Sequence, residues 1–431
     1  MKAKLKNFSF IKKLHGGYFL MKGILVIIDG VGDLPHKLLG DKTPLEVVKT
    51  PNIDFFATRG ELGYLYPVKP GFIPESDEAI VSIFGNDLMY STRGQLEAIG
   101  AGIKLVRGDL AFRVNFATID EEDNILDRRA GRTLTITEAE KLAKEINKIK
   151  LPVDFVFEAT AQHRAALVFR GGFSDNILPN DATYIQGKSK SISKVRNCQA
   201  TDEDENTIYS VNIVNEFLNK AGDVLKNHPV NLERIKRGLL PANYLLIRGA
   251  GIETPKLKQY KKWISPSYMP LEIGFSRVSG MHVTSFEYPA LKKLDAYENL
   301  WDGLKKACKF NIKSIKKNYK KFDYAYVHFK ETDLPGHDNK PIEKKEMIEY
   351  IDKTFFNFLR KFAPSKKIKV VVTGDHSTPC KLKEHSADPV PVLFYNDSIP
   401  REKHFCEKEC RKGTLGKILG KDLLKIVGFN K

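Results

Sequence analysis

The sequence is poor in cysteine and has no long apolar run. Its five cysteines are an odd, sparse set without zinc-ribbon spacing in a chain of 431 residues. That usage is typical of a reducing compartment and gives no disulfide framework. No stretch reaches the ~18 apolar residues of a membrane span, and the basic residues 1–20 lack the apolar core and cleavage site of a secretory signal. We therefore expect a cytoplasmic protein without a membrane partner, and residues 1–20 as a loosely ordered leader before Met21.

Acids are scarce relative to bases, and the formal net charge is +17. A positive field attracts nucleic acids and small anions alike. No nucleic-acid-binding motif accompanies the charge, and lysine-rich stretches such as 305–321 and 340–345 are typical of solvated helix faces. We therefore predict an anionic small substrate, with no nucleic acid as the primary partner. At 42% hydrophobic residues, the chain can bury two or three domain cores.

Three short apolar runs, each with the composition of a buried strand, end near an acid. Histidines lie close to two of these acids, and another histidine precedes a further apolar run. The residues concerned are Asp29, Asp333, His337, Asp375, His376 and His385.

Each such acid, taken singly, is most often a turn residue. In open, mostly parallel α/β sheets, however, ligands bind beyond the carboxyl ends of the strands, so acids far apart in sequence can meet at one site. Carboxylates together with imidazoles bind divalent transition metals. The recurrence of the unit therefore predicts a metal site at one edge of a mostly parallel sheet.

Ser76 precedes two acids and an apolar stretch that is typical of a helix. Its position is that of an N-cap, and a capping serine explains it without any chemistry. The same position places a hydroxyl among free N–H groups at the positive end of a helix, where an alkoxide or a phosphate is favoured. Beside a cation, Ser76 is therefore also a candidate nucleophile.

Residues 107–285 differ in texture from the rest of the chain and contain none of the strand-end acids. Alternating stretches at 111–118 and 166–170 predict strands, and residues 137–149 predict an amphipathic helix capped by Thr137. We therefore predict a smaller α/β (α+β) domain inserted into a larger, discontinuous one. The predicted ranges are 21–106 with 286–431 for the larger domain and 107–285 for the insert.

The insert carries three clusters of cations beside glycine turns or apolar strands. One such cluster is usually surface charge, but arginine matches phosphate and carboxylate oxygens in bidentate fashion, so three clusters favour an anion site. The cations are Arg128, Arg129, Arg132, His163, Arg164 and Arg248.

Several motifs along the chain together resemble a known family. They are VIIDGVGD, PESDEA, NFAT, DRRAGR, LLIRGAG, DLPGHD, TGDHSTP, HSADPVPVL and the closing GTLGKILGKDLL. Their order and spacing resemble the archaeal-type cofactor-independent phosphoglycerate mutases of the alkaline phosphatase superfamily, from residue 21 to the end. The resemblance implies an alkaline-phosphatase-like, mostly parallel α/β sheet flanked by helices, with the insert as a lid.

The same resemblance implies two divalent metal ions, usually manganese with zinc, cobalt or magnesium as alternatives, and no 2,3-bisphosphoglycerate. It implies that Ser76 takes the phosphoryl group while 3-phosphoglycerate and 2-phosphoglycerate interconvert in glycolysis and gluconeogenesis. The cations of the insert would hold the phosphate and carboxylate of the substrate. One ion would be held by Asp29, Ser76, Asp375 and His376, and the other by Asp333, His337 and His385.

Two positions depart from the family pattern. Glu75 replaces a glycine that usually precedes the serine, and Ile273 occupies the place of a lysine, although Arg277 remains. Glu75 either disfavours an incoming phosphate or points to solvent. These departures leave two alternatives to a phosphoglycerate mutase: a metal-dependent phosphatase or mutase for another phosphorylated metabolite, and a weakly catalytic or non-enzymatic binding protein, for example for RNA. The oligomeric state is not predicted.

Overall fold

The structure, a computed structural model, describes residues 20–88, 93–181, 194–292, 294–397 and 404–430. The predicted leader, residues 1–20, lies outside these ranges except for Leu20. The described strands are β1 (Gly23–Ile28), β2 (Gly60–Tyr66), β3 (Leu110–Ile119), β4 (Ile125–Asp127), β5 (Phe155–Ala161), β6 (Arg164–Phe169), β7 (Ile177–Leu178), β8 (Gln199–Ala200), β9 (Tyr244–Ile252), β10 (Trp263–Pro266), β11 (His282–Thr284), β12 (Tyr324–Phe329), β13 (Lys369–Thr373), β14 (Val390–Tyr395) and β15 (Gly416–Leu419).

Helices alternate with these strands and cover the sheets. They are α1 (Pro44–Val47), α2 (Pro51–Ala57), α3 (Ser76–Ile83), α4 (Arg93–Gly100), α5 (Ile136–Ile146), α6 (Glu205–Lys226), α7 (Pro229–Lys236), α8 (Pro270–Val278), α9 (Ala296–Asn318), α10 (Asp333–His337), α11 (Pro341–Ile351), α12 (Asn357–Ser365), α13 (Glu407–Cys410) and α14 (Leu423–Ile426). None of the described helices is both long and apolar enough to span a bilayer. The five cysteines are buried free thiols.

The larger domain is built on an eight-stranded sheet with the order β11-β10-β12-β1-β13-β14-β2-β15. Its strand pairs are parallel except at β14, which runs antiparallel to both β13 and β2. Strands β1, β12 and β14 are buried along their whole length, as expected for strands covered on both faces. The prediction of a mostly parallel α/β sheet is therefore confirmed.

Strand order explains how residues far apart in sequence meet. Strands β12, β1 and β13 are neighbours and run parallel, so their carboxyl ends lie at one edge of the sheet. Strand β14 runs the other way, so its amino end lies at that same edge. The edge thus collects Asp29 after β1, Asp333 after β12, Asp375 after β13 and His385 ahead of β14.

The insert folds on a second sheet with the order β4-β3-β6-β5, in which β9 also pairs with β3, and all of its described pairs are antiparallel. Its core packs aromatic residues of the sheet, among them Phe157 and Phe169, against Phe217 of α6. The predicted strands are present as β3 and β6. The predicted helix is α5, but its cap is Thr135 instead of Thr137, because Thr135 and Glu138 form a capping box.

The predicted end of the insert, residue 285, is too late. Strand β10 pairs with β12 and with β11, so both strands belong to the large sheet. Trp263 lies opposite Tyr324 and stacks on it, with ring centroids 5.0 Å apart. The chain therefore returns to the larger domain before Trp263. The sequence hides this return because β10 and β11 end without a strand-end acid.

One of the lysines predicted to lie on a solvated helix face is buried. Lys344 of α11 is fully inaccessible, and its Nζ lies 2.7 Å from Asp33 Oδ2. Lys344 also donates to the carbonyl oxygens of Gly32 and Thr378. The ion pair and these hydrogen bonds connect α11 to the loops that follow β1 and β13, next to the edge of the sheet where the acids and histidines lie.

Candidate metal centre

The first cluster at the sheet edge consists of Asp29, Asp375 and His376. All three side chains are buried, and their ligand atoms lie within 4.8 Å of one another. His376 Nε2 is 3.2 Å from Asp29 Oδ1 and 3.5 Å from Asp375 Oδ2. Two carboxylates and an imidazole at these separations form a donor set suited to one divalent cation.

The second cluster consists of Asp333, His337 and His385, with ligand atoms again within 4.8 Å of one another. Helix α10 begins at Asp333, and the spacing of four residues places His337 on the same helix face. His337 Nε2 is 3.3 Å from Asp333 Oδ2, and His385 Nε2 is 3.8 Å from Asp333 Oδ1.

The two clusters are contiguous. The rings of His376 and His385 stack with their centroids 3.7 Å apart. Thr378 joins the clusters a second time, because its Oγ1 donates to Asp333 Oδ1 at 2.7 Å and lies 3.0 Å from His376 Nδ1. The structure therefore brings the six predicted acids and histidines into one pocket.

Each of the three predicted histidines is oriented by a hydrogen bond on the far side of its ring. Nδ1 of each ring lies 3.0 Å from an oxygen, and Nε2 of each ring therefore faces the carboxylates. This arrangement is the one that fixes the tautomer and direction of metal-binding histidines. The pairs are His337 with Lys383 O, His376 with Thr378 Oγ1, and His385 with Pro74 O.

Two buried carboxylate oxygens in the first cluster have no hydrogen-bond donor among the described residues. They are Asp29 Oδ1 and Asp375 Oδ2. Burial and the negative charge of Asp375 raise the pKa of Asp29 well above its usual value. Burial and the neighbouring His376 lower the pKa of His385 to about 4, so its imidazole is neutral and free to bind a cation near pH 7. The residues therefore fit a pair of divalent ions.

Only glycine fits at residue 30, because side chains of both clusters lie close to its Cα. Its φ is +59°, and a Cβ at this position would lie 2.5 Å from Thr378 Oγ1 and 2.8 Å from Asp333 Oδ1. Its N–H donates to Asp375 Oδ1 at 3.1 Å. A side chain at residue 30 would therefore push the two clusters apart.

Ser76 is the first residue of α3, and its predicted position as the N-cap is wrong by one residue. The N-cap is Glu75, whose N–H donates to Glu78 Oε2 at 2.9 Å. The Ser76 hydroxyl is directed towards the clusters, with Oγ 3.2 Å from His376 Nε2 and 3.4 Å from Lys330 Nζ. A hydroxyl at the positive end of a helix, beside a cation-binding cluster, is in a position to act as a nucleophile.

Lys330, Glu272 and His328 lie beside the two clusters and were missed by the sequence reasoning. Lys330 Nζ contacts Asp29 Oδ2 and lies 3.0 Å from Glu272 Oε1. His328 is buried, with Nε2 3.5 Å from Asp375 Oδ2. A signal for two of them was present, because His328 and Lys330 are two residues apart at the end of β12 and share one face.

A cavity of about 420 Å³ extends from the clusters to the insert. Five of the six predicted insert cations line it: Arg129, Arg132, His163, Arg164 and Arg248. The sixth, Arg128, is not among the described lining residues and instead pairs with the buried Asp181. A cavity of this volume, with acids on one wall and arginines on the other, suits a small anion that also contacts metal.

Two arginines of the insert already contact acids of the larger domain. Arg132 Nη1 lies 2.5 Å from Asp338 Oδ2, and Arg248 Nη1 lies 3.2 Å from Glu75 Oε2. Burial alone would raise the pKa of Glu75, but Arg248 and His385 outweigh burial and hold that pKa well below its usual value. Glu75 is therefore an anion that is paired with the insert.

Comparisons with known proteins fit this geometry. A family model described as 2,3-bisphosphoglycerate-independent phosphoglycerate mutase matches residues 57–231, and one described as Metalloenzyme superfamily matches residues 278–431. The chain is similar to the mutase of that name from Thermococcus kodakarensis, with 41% identity over 94% of this chain and 96% of the relative. The chain belongs to the 2,3-bisphosphoglycerate-independent phosphoglycerate mutase family. The relative of that name from Pyrococcus furiosus is 40% identical over 94% of this chain and 96% of its own length.

Solved structures agree with membership of this mutase family. A Pyrococcus horikoshii protein has a TM-score of 0.73 at 33% identity, covering 96% of this chain and 97% of its own. A cofactor-independent phosphoglycerate mutase from Thermoplasma acidophilum has a TM-score of 0.58 at 29% identity, covering 95% and 99%. The protein is thus an enzyme of the isomerase class, which argues against a non-enzymatic binding protein. The family descriptions imply divalent metal ions and independence of 2,3-bisphosphoglycerate, without fixing the ion.

Proposed function

We propose that this mutase interconverts 3-phosphoglycerate and 2-phosphoglycerate through a phosphoserine at Ser76. The observation that carries the proposal is the position of Ser76 Oγ, which lies 3.2 Å from His376 Nε2 at the start of α3, beside two contiguous clusters of metal-competent residues. We assign one divalent ion, with manganese as the first choice, to each cluster. Asp29, Ser76, Asp375 and His376 would hold one ion, and Asp333, His337 and His385 the other.

The chain's own residues prepare the transfer. Two divalent ions, when bound, neutralise charge on the attacking and leaving oxygens of a phosphoryl group. The free N–H groups of α3 stabilise negative charge on Ser76 Oγ. The ammonium of Lys330, 3.4 Å from Ser76 Oγ, adds a second positive charge at the same oxygen. Ser76 attacks phosphorus and releases glycerate, whose 2-hydroxyl or 3-hydroxyl then takes the group back.

The insert serves as the lid in this proposal. Glycerate must turn within the cavity while water is kept from the phosphoserine, since hydrolysis would make the enzyme a phosphatase. Contacts across the cavity support a closing role: Arg132 with Asp338, Arg248 with Glu75, and Gln162 Nε2 with Asn299 Oδ1 at 2.7 Å. The arginines of the insert are then the groups that retain glycerate.

A phosphatase, or a mutase of another phosphorylated metabolite, is the second candidate, and Glu75 is the observation that favours it. Glu75 pairs with Arg248 and so competes with the substrate carboxylate for this cation.

The free thiols of the chain support the cytoplasmic location that the sequence predicts for either activity.

Product analysis separates the two candidates. Manganese-loaded protein with 3-phosphoglycerate should yield 2-phosphoglycerate without free phosphate, whereas a phosphatase would release phosphate. Ser76→Ala should abolish turnover and leave the fold intact, and the exposed Ser365→Ala is the matched control that should keep full activity. Normal turnover by Ser76→Ala would remove Ser76 from the mechanism.

A further inference from the structure

Arg113 of β3 is a buried cation at the cavity that the sequence reasoning did not single out. It lines the cavity, and only 5% of its surface is exposed. Its Nε finds no hydrogen-bond acceptor among the described residues. Its Nη2 has one long contact, with Asn115 Oδ1 at 3.5 Å. Burying a guanidinium is costly unless its N–H groups are satisfied, and the Nε–H of Arg113 has no hydrogen-bond acceptor among the described residues.

Glu97, which forms a long ion pair with Arg113, is bound more closely by another arginine. Glu97 Oε1 lies 3.7 Å from Arg113 Nε but 3.2 Å from Arg93 Nε. Arg93 in turn lies 3.0 Å from Asp77, the residue after Ser76. Arg113 therefore sits at the end of a chain of ion pairs that leads back to the start of α3.

Sheet register places further cations around Arg113. On β9 its partner across the sheet is Arg248, and on β6 Arg164 lies opposite Asn115. Arg113 and Asn115 are two residues apart on one strand, so both side chains point to the same face, and both line the cavity. Burial, followed by the charges of Arg93, Arg248 and Arg164, lowers the pKa of Arg113. An anion entering here would relieve this crowding of positive charge.

We propose that Arg113, assisted by Asn115, forms an oxyanion subsite for the substrate on the insert wall of the cavity. The subsite rests on the proposed function only for the identity of the substrate, a small phosphorylated carboxylate. The shared chemistry is a carboxylate or phosphate oxygen that accepts from the Arg113 guanidinium. A purely structural Arg113 would instead serve only to neutralise Glu97, and would not distinguish one ligand from another.

Equilibrium dialysis of the manganese-loaded full chain tests the subsite. The probes are 3-phosphoglycerate, counted as total phosphoglycerate, glycerol 3-phosphate, which lacks the carboxylate, and inorganic phosphate. The variants are Arg113→Met and Arg113→Lys, with Arg237→Met as the control, because Arg237 is an exposed cation of the same domain. Thermal unfolding of each variant reports on the fold. Arg113→Lys keeps the charge and stem, so it serves if Arg113→Met does not fold.

Loss of a charge-assisted hydrogen bond predicts binding that is about 10- to 100-fold weaker for Arg113→Met. For Arg113→Lys we expect an intermediate loss, because the planar fork is gone, and for Arg237→Met no change. A loss confined to 3-phosphoglycerate assigns the subsite to the carboxylate. A loss for all three probes assigns it to the phosphate.

Unchanged affinity of Arg113→Lys and Arg113→Met for all three probes would overturn the proposal, and so would a wild-type protein that binds none of them. The proposed function is judged separately, by product analysis of the wild type. Weaker probe binding by the Arg113 variants, alongside a wild type that makes no 2-phosphoglycerate, would keep the subsite and reject the mutase assignment.

Discussion

The two walls of the cavity are built differently. On the sheet edge, buried carboxylates and imidazoles converge, and two carboxylate oxygens accept no hydrogen bond from the described residues. On the insert wall, Arg132 and Arg248 contact acids supplied by the larger domain. The first wall is therefore rich in acids, with the ammonium of Lys330 beside them, whereas two arginines of the second wall are already paired with acids.

This difference indicates which contacts stay in place and which contacts would break when substrate binds. The three acids directly follow strands of one sheet, or lie a few residues beyond them, with His337 on α10 and His376 and His385 in the segment between β13 and β14, so we expect the metal centre to need little rearrangement. In the proposed reaction, Arg132 and Arg248 would exchange Asp338 and Glu75 for substrate oxygens. We infer that binding of metal depends on the sheet edge alone, and that binding of substrate is coupled to the contacts between the two domains.

Removal of a strand-end acid should have the largest effect. Asp375→Asn takes a charged ligand from the first cluster, where the side chain is fully buried. We expect one metal ion fewer per chain and at least a ~1,000-fold loss of kcat, because charge stabilisation at the phosphoryl group is lost. Elemental analysis and steady-state kinetics measure both. The exposed Asp87→Asn is the control; full metal content in Asp375→Asn would contradict the assignment.

Two neighbouring arginines should behave in opposite ways. Arg128→Met leaves the buried Asp181 without this partner, so we expect a loss of unfolding free energy of about 3 kcal/mol and an unchanged KM. Arg132→Met should raise KM about tenfold with a smaller change in stability, since Arg132 lines the cavity. Urea denaturation measures the unfolding free energy of each variant, and steady-state kinetics measures its KM. A raised KM in a stable Arg128→Met protein would restore Arg128 as a substrate ligand.

Low pH should lower the unfolding free energy because His385 becomes protonated. Its pKa is lowered to about 4 by burial and by His376, from an ordinary value near 6.5. The folded state thus holds fewer protons than the unfolded state between these pH values. This contribution to stability is complete above pH ~6.5 and is lost as pH falls towards 4. In metal-depleted protein, the unfolding free energy of His385→Asn should fall by about 2–3 kcal/mol less than that of the wild type over this pH range. An identical pH dependence in the two proteins would show that His385 does not titrate as described.

The smallest expected effect is at Glu75. Glu75→Gln removes the negative charge that faces Arg248 and keeps the shape of the side chain. Because this pair is partly exposed, we expect only about a fivefold lower KM for 3-phosphoglycerate, with kcat nearly unchanged. Steady-state kinetics at two salt concentrations measures it. A higher KM would mean that Glu75 positions Arg248 for the substrate instead of competing with it.

The sheet edge could be predicted from the sequence because each strand-end unit has a local pattern: an apolar run followed by an acid, with a histidine close to two of the three acids. The parallel order of β12, β1 and β13 then brings the units together. Lys330 could not be predicted as a site residue because a lysine after a strand is common. Its contacts with Asp29 and Glu272 become visible only in the folded structure.

The insert wall was less readable. Arg128 and Arg132 belong to one motif, yet they point to different partners, because the turn between them takes left-handed backbone at Ala130, Gly131 and Arg132. Arg113 lies in the alternating stretch 111–118, which predicts a strand and gives no sign of a site. Only the register of β3 against β9 and β6 reveals the cations that surround it.

Anomalous diffraction from crystals of the manganese-loaded protein tests the central claim most directly. The account predicts two manganese peaks, one among Asp29, Asp375 and His376 and one among Asp333, His337 and His385, with Ser76 Oγ beside the first. A single peak, or peaks away from these side chains, would contradict it.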